Sequence, residues 1–321
     1  MIASRHWFVL EPLQIPAEFS SRFETAAGFE VAGNWYLAGE AYIALQSLSI
    51  PTLDPTIKAG LLARAASCFE ISCNSRISAR FYSEAAQEIA SHCTKPQLAA
   101  ELSNRAALQF QESSELFFAA AAWERAAEEF GKIPADVIVC SEGLTPLPMA
   151  STKSGLCGMC FEAAAAAYAR APGYEAHSVS AYWRAGKAYS NGGPNIQAFD
   201  AYRRCLIANI KYYGTLDVIK LRYSLPFSET ERQSNLNPID IMESALERIN
   251  NHHHQRNPDT TPEAALSTNR QMIAAFHEFT LNLQNVGNEG EAGIFRAKKK
   301  DRQRRILSMQ RNFVASAFYR L

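Results

Sequence analysis

The sequence predicts an all-α protein, a solenoid of stacked antiparallel helix pairs followed by a C-terminal helical segment. Small and aromatic residues recur at one fixed spacing, and we call each set of residues with this spacing a register. Turn-forming residues separate the two halves of each register, and strand patterns are almost absent. The chain has 321 residues, 47% of them hydrophobic and 20% charged, which is ordinary for a globular protein in water. It contains no apolar run of about 18 residues that could cross a bilayer.

The register is clearest around Tyr189. A small residue stands three positions before it (Gly186), another stands nine after it (Ala198), and an aromatic residue stands thirteen after it (Tyr202). The same register fits three further sets, which are Ala26, Phe29, Ala38 and Tyr42; Ala66, Phe69, Ser78 and Tyr82; and Ala107, Phe110, Ala119 and Trp123. Residues at these spacings share one helix face, so each register predicts two helices packed face to face. Helices with so few large aliphatic residues must stack on neighbours to bury enough surface.

Helix breaks fall between the two halves of each register. They are Gly33-Asn34, Cys73-Asn74-Ser75, Glu112-Ser113-Ser114 and Asn191-Gly192-Gly193-Pro194. Asp54 before Pro55, and Thr94 before Pro96, predict the starts of further helices because an N-cap residue precedes a first-turn proline. An additional helix is predicted over Leu156 to Arg170, and we expect it to pair with the segment that contains Tyr182.

The set Gly186, Tyr189, Ala198 and Tyr202 resembles the tetratricopeptide consensus. The anchors Phe29, Phe69 and Phe110 are 40 and 41 residues apart, whereas the standard repeat has about 34 residues. Long pairs rich in alanine and tyrosine are similar to the array of soluble NSF attachment proteins, over roughly residues 17 to 213. That resemblance implies a curved scaffold that grips helical segments of partner proteins. A plain helical bundle is the alternative architecture.

We divide the chain into an array over residues 1–213, a hinge over 214–237 and a C-terminal helical region over 238–321. The last region ends in a strongly basic segment. Between Ile294 and Leu321, nine lysines and arginines face one aspartate, which gives +8 in a chain of zero net charge. The basic residues that we expect to contact a partner or a membrane are Arg296, Lys298, Lys299, Lys300, Arg302, Arg304 and Arg305.

This basic segment has two interpretations. Glu291-Ala292-Gly293, followed by Phe295 and an arginine pair, resembles a segment of bacterial membrane-associated proteins. Apolar residues fall on one helical face of the same segment, at Ile306, Phe313, Val314, Ala317, Phe318 and Leu321. A helix with one basic and one apolar face can lie on an anionic membrane or bind an acidic partner. Alternatively, its apolar face packs as the closing helix of the array.

Few sequence patterns indicate a catalytic or metal-binding site. Cys157 and Cys160 have CxxC spacing without a second ligand pair, and the triplet at residues 252–254 is a histidine run in a polar loop. Phosphate-binding, nucleophile-elbow and zinc-hydrolase motifs are not found. We therefore expect no cofactor, no metal and no catalysis. The seven cysteines are odd in number and scattered, which favours a reducing, cytoplasmic location, with peripheral membrane association left open.

The sequence thus predicts a non-enzymatic adaptor or scaffold that binds another protein in the groove of a helical repeat array. The alternative is a sensing or regulatory module of a membrane-associated assembly, which would dock through the basic C-terminal helix. Nucleic acid is the less favoured partner because no recognised nucleic-acid-binding motif accompanies the basic residues Lys298 to Arg305. Arg80, Arg105 and Arg184 are candidate contacts on the array.

Overall fold

The computed structural model describes residues 16–48, 54–134, 152–192, 195–213, 221, 225–226, 237–245 and 274–281. Within these ranges the regular structure is helical and includes no strand, so the predicted all-α class is confirmed. The long helices are α1 (Ala17–Val31), α2 (Trp35–Leu48), α3 (Pro55–Ile71), α4 (Ser75–His92), α5 (Pro96–Glu112), α6 (Leu116–Lys132), α7 (Lys153–Tyr168), α8 (Glu175–Ser190) and α9 (Asn195–Tyr213). Shorter helical segments cover residues 238–245 and 274–281.

The helices stack in chain order. Each one packs mainly against its predecessor and its successor. Side chains also join helices two apart, as between Glu30 of α1 and Cys68 of α3 (3.4 Å) and between Ser83 of α4 and Arg125 of α6 (2.7 Å). Odd-numbered helices therefore form one layer and even-numbered helices the other. This arrangement is an α-solenoid and excludes the plain bundle, whose helices would enclose one common core.

Three turns of identical geometry explain why the register recurs. The α1–α2, α3–α4 and α5–α6 turns each contain three residues, and the middle residue has a positive φ, 75° at Gly33, 61° at Cys73 and 61° at Ser114. The residue after it donates its backbone N–H to the carbonyl of the anchor aromatic residue, at 2.8 or 2.9 Å. This hydrogen bond closes the first helix and starts the second at a fixed offset, so the two aromatic positions lie thirteen residues apart.

Close contact between an aromatic ring and a glycine explains the spacing around Tyr189. A Cβ on Gly186 would lie 2.5 Å from two carbon atoms of the Tyr202 ring, and a Cβ on Gly158 would lie 2.4 Å from the Tyr189 ring. Both rings are only 1% exposed. Because each ring rests on the backbone of the preceding helix, a larger residue than glycine leaves it no room.

The fourth register is offset from the first three by one helix. In the first three, the anchor aromatic residue lies on α1, α3 or α5, whereas Tyr189 lies on the even-numbered helix α8. The additional helix predicted at Leu156 to Arg170 is α7, which packs between α6 and α8 as closely as any other member of the stack. The register therefore reports contact between consecutive helices and does not tell which layer a helix belongs to.

Described residues beyond α9 pack on the end of the array. Leu221 and Leu225 are buried in the same cluster as Tyr202 of α9. Met242 and Phe276, from the two shorter helical segments, belong to that cluster as well. The division into array, hinge and C-terminal region stays a prediction, and the basic segment at 294–321 lies outside the described residues.

Gly186→Ala should destabilise the array by about 1–3 kcal/mol, because the added methyl overpacks a fully buried ring. Gly28→Ala is the matched control, since a Cβ at Gly28 of α1 meets no atom within 4 Å. There the helix propensity of alanine should stabilise by up to about 1 kcal/mol. Urea unfolding followed by circular dichroism measures both changes. A Gly186→Ala midpoint at or above the wild-type value would contradict the contact.

Candidate functional site

The residues predicted to pack in the register lie inside the array. All of them are buried except Phe29, which is half-buried. Their side chains contribute to three hydrophobic clusters that follow one another along the stack. These positions hold the helices together, so a partner protein must contact other residues.

Polar contacts that the register did not predict tie three successive helices together. Tyr82 of α4 donates its hydroxyl proton to Glu70 of α3 at 2.7 Å and accepts a hydrogen bond from Arg105 of α5 at 3.2 Å. The Arg105 guanidinium also lies 3.7 Å from the Glu70 carboxylate. Hydroxyl, carboxylate and guanidinium satisfy one another in a half-buried position where an unpaired charge would be costly.

The same tie recurs in the second half of the array. A tyrosine donates to a glutamate of the preceding helix, and an arginine of the following helix binds the other oxygen of that glutamate. The two sets are Tyr168, Glu124 and Arg184, at 3.0 and 3.1 Å, and Tyr189, Glu162 and Arg204, at 3.1 and 2.6 Å. Of the three candidate partner contacts, Arg105 and Arg184 are therefore engaged in holding the array together, and Arg80 is exposed.

Burial changes the acidity of these tyrosines. Burial raises the pKa of Tyr42, whose hydroxyl accepts from Arg64 at 3.4 Å, to about 12. The pKa values of Tyr82, Tyr168 and Tyr189 are also raised, first by burial and then by the neighbouring glutamate. The ties thus depend on protonated tyrosine, which is the only form that can donate to the carboxylate.

The CxxC pair lies in the core of the array. The Cys157 thiol donates to the carbonyl of Ala127 at 3.3 Å, and burial raises its pKa to about 11. Cys160 is fully buried and its pKa is raised as well, so neither thiol favours the reactive thiolate. Among the described residues, no three histidines, cysteines or carboxylates gather as a metal site would require. The histidine triplet at 252–254 lies outside them.

One edge of the solenoid exposes large apolar side chains. We call it the turn edge, and it comprises the α1–α2, α3–α4, α5–α6 and α7–α8 turns with one helical turn on each side, residues 28–38, 68–78, 109–119 and 165–178. Val31 is 91% exposed and Phe118 is 52% exposed. The exposed large apolar residues of the turn edge are Val31, Tyr36, Leu37, Ile71, Phe118 and Tyr174.

Contacts between successive turns make this edge continuous. The Tyr36 ring meets the Phe69 ring at the end of α3, with centroids 5.5 Å apart. Arg76 binds Glu115 across the next step at 2.9 Å. The Phe117 ring lies 4.2 Å from the ring of Tyr174 in the last turn. The exposed apolar residues therefore stand on one connected surface.

The turn edge is acidic. Its charged residues are Glu30, Glu70, Glu112, Glu115 and Glu175 against Arg76 and Arg170, so five negative and two positive charges give −3, or −2 when Arg105, which pairs with Glu70, is included. The opposite edge comprises the α2–α3, α4–α5, α6–α7 and α8–α9 turns with one helical turn on each side. Its described part has the reverse balance, with Asp54 and Glu129 against five lysines, which are Lys58, Lys95, Lys132, Lys153 and Lys187. A partner that matches the turn edge should combine apolar residues with basic ones.

Within the described ranges, no helix combines the length and the apolar composition needed to cross a bilayer. The basic residues from Arg296 to Arg305, which were expected to contact a partner or a membrane, lie outside those ranges.

This chain is similar to solved structures of other proteins, at low sequence identity. No family model matches the chain, and no curated protein matches it. BtubC (BKLC) from P. vanneervenii is 14% identical over 81% of this chain and 82% of that chain, with a TM-score of 0.30. A putative kinesin light chain from Podosopora anserina, with nearly identical TPR-like repeats, is 10% identical over 83% of this chain and 98% of that chain, also with a TM-score of 0.30.

The chain has the fold of a helical repeat protein. Its own helix stacking carries this conclusion, and neither similar structure adds an activity or a partner. Neither is a soluble NSF attachment protein, so that closer resemblance remains a prediction.

Raising the pH should weaken the tyrosine ties. A tyrosine whose folded pKa exceeds the unfolded value near 10 contributes stability that is complete below pH 10 and is lost as the pH rises through the folded pKa. We therefore expect fewer than the twelve tyrosines of the chain to ionise at pH 11 while the helices persist, measured by absorbance at 295 nm with circular dichroism. Tyr82→Phe should remove one late-titrating group. Ionisation of all twelve near pH 10 with native helicity would refute the ties.

Proposed function

We propose that this protein is a non-enzymatic scaffold that binds another protein, and that the turn edge is its principal contact surface. The exposed apolar residues of that edge support the proposal most directly. Six side chains of roughly 150–200 Å² each, about half exposed, leave roughly 500 Å² of apolar surface in water. Exposed apolar patches that gather along one edge of a protein are often binding sites. Such a patch can form the apolar centre of an interface of ordinary size, about 800 Å² per partner.

The spacing of the turns favours a helical partner. Consecutive packed helices lie about 8–10 Å apart. Helices of one layer are joined by side chains, as Glu30 of α1 is to Cys68 of α3, so each step along the turn edge is on the order of 10 Å. An α-helix rises about 10.5 Å over seven residues. A partner helix with apolar residues at heptad spacing would therefore place one anchor at each turn, and basic residues beside them would face the glutamates.

The groove expected from the repeat architecture remains a second contact surface in this proposal. Its contacts would be polar side chains on the helix faces, such as the exposed Arg80. Cytoplasmic location and membrane docking through the basic C-terminal residues stay predictions from the sequence.

Phe118→Asp should abolish partner binding through the turn edge. It places a charge in the centre of the patch, and loss of a central aromatic anchor costs about 2 kcal/mol or more, which corresponds to at least about 30-fold in affinity. The control is Ile196→Asp, which puts the same charge near the start of α9 on the opposite edge, where Ile196 is 42% exposed.

Purified full-length variants with wild-type circular dichroism would be used as baits in native host extract, with quantitative mass spectrometry of bound proteins. We expect at least one partner to be retained by wild type and Ile196→Asp and lost by Phe118→Asp. Identical recovery of every bound protein by both variants would exclude the turn edge as the contact surface.

A further inference from the structure

We propose that residues 306–321 of this chain dock on the turn edge of the same molecule and cover it until a partner displaces them. This inference rests on the proposed function, because it concerns the regulation of the same surface. It is carried by the charge of the turn edge, by the spacing of its apolar residues and by the length of chain that follows the last described helix.

The C-terminal residues have the chemistry that the turn edge requires. Ile306 and Phe313 are seven residues apart, and so are Val314 and Leu321. In a helix, each pair would be separated by about 10.5 Å, the step between successive turns of the array. Sixteen residues would extend about 24 Å and so reach three successive turns.

The charges are opposite in sign. Residues 306–321 carry two basic residues, Arg311 and Arg320, and no acidic residue, and residues 294–305 directly before them carry seven basic residues and one acidic residue, whereas the turn edge carries −3. Two copies of this chain joined through their turn edges would instead bring two acidic surfaces together. Charge complementarity therefore favours the basic segment over a second copy.

The segment can reach the whole turn edge. The described chain ends at residue 281, and 24 residues (282–305) separate that point from Ile306. Fully extended, they span up to about 80 Å. Phe276 packs against Phe199 in the first half of α9, so the path to the turn edge includes up to the length of α9, about 28 Å, and the four steps from α9 to α1 within one layer add about 40 Å. A tether of this kind gives an effective concentration of about a millimolar, which a separate basic peptide would have to exceed.

Docking of this segment would make the turn edge conditionally available. The apparent affinity for a partner falls in proportion to the fraction of molecules whose edge is uncovered. A partner with a stronger apolar and basic helix would replace residues 306–321, and the displaced segment would then expose its own apolar and basic faces.

Hydrogen exchange of the full-length chain tests the docking. In wild type, the amides of residues 306–321 should exchange at least about tenfold more slowly than the rates of an unstructured peptide. Phe118→Asp should remove this protection, and Phe313→Asp should remove it from the other side of the contact. Ile196→Asp, on the opposite edge, should leave it unchanged.

A crosslink identifies the contact directly. Cys73 is exposed in the α3–α4 turn at the centre of the turn edge. A photo-crosslinker on Cys73, in a chain that carries Cys93→Ser and Cys140→Ser, should join it to a peptide within residues 306–321 of the same chain. Equal mixtures of isotopically heavy and light chains distinguish crosslinks within one chain from crosslinks between two.

Three outcomes would overturn the proposal. Residues 306–321 could exchange at unprotected rates, they could remain protected in Phe118→Asp, or their protection and crosslinks could depend on protein concentration and join heavy to light chains. Any of these would leave the proposed function standing if Phe118→Asp alone still lost its partner in the extract experiment. Conversely, if residues 306–321 dock on the turn edge but Phe118→Asp retains every partner in the extract experiment, the docking contact stands and the turn edge is not the partner-binding surface.

Discussion

An aromatic ring resting on a small residue of the preceding helix is the contact on which the array depends. Its helices are rich in alanine, and alanine alone buries too little apolar area to offset the entropy lost on folding. A tyrosine or phenylalanine brings a much larger area, but it fits only where the opposing helix offers glycine or alanine. Gly186 beneath Tyr202 and Gly158 beneath Tyr189 are the tightest such places. Repeated between consecutive helices, this contact lets an otherwise weakly apolar chain form a continuous core.

The polar ties and the turns follow from the same stacking. A ring buried to its hydroxyl group needs a hydrogen-bond partner, and Tyr82 finds one in Glu70 of the helix before it. Arg105, from the helix after it, then neutralises that glutamate. Each tie spans three helices. It therefore fixes the position of one helix relative to the next helix in the same layer, as well as the pairing of two consecutive helices. The outcome is a rigid stack that holds the turns in line and presents their exposed residues as one surface.

Much of this fold follows from the sequence, because buried contacts leave a periodic pattern. The small and aromatic positions and the breaks between them predicted α1 to α6, α8 and α9. The offset of the fourth register was missed because the pattern is the same in either layer. The ties left no common sequence signal, because the glutamate stands 12 residues before the tyrosine in the Glu70–Tyr82 tie, 44 in the Glu124–Tyr168 tie and 27 in the Glu162–Tyr189 tie. The apolar turn edge had none, because Val31 or Phe118 in a sequence does not differ from a core residue until burial is known.

A double-mutant cycle between Gly186→Ala and Tyr202→Leu tests the central contact most directly. Replacing the ring with a smaller side chain leaves space for the added methyl. If the ring rests on the glycine, Gly186→Ala will be destabilising in the wild-type chain but neutral or stabilising beside Tyr202→Leu, and urea unfolding will give a coupling free energy of about 1 kcal/mol or more. Additivity of the two changes within about 0.3–0.5 kcal/mol would contradict the account.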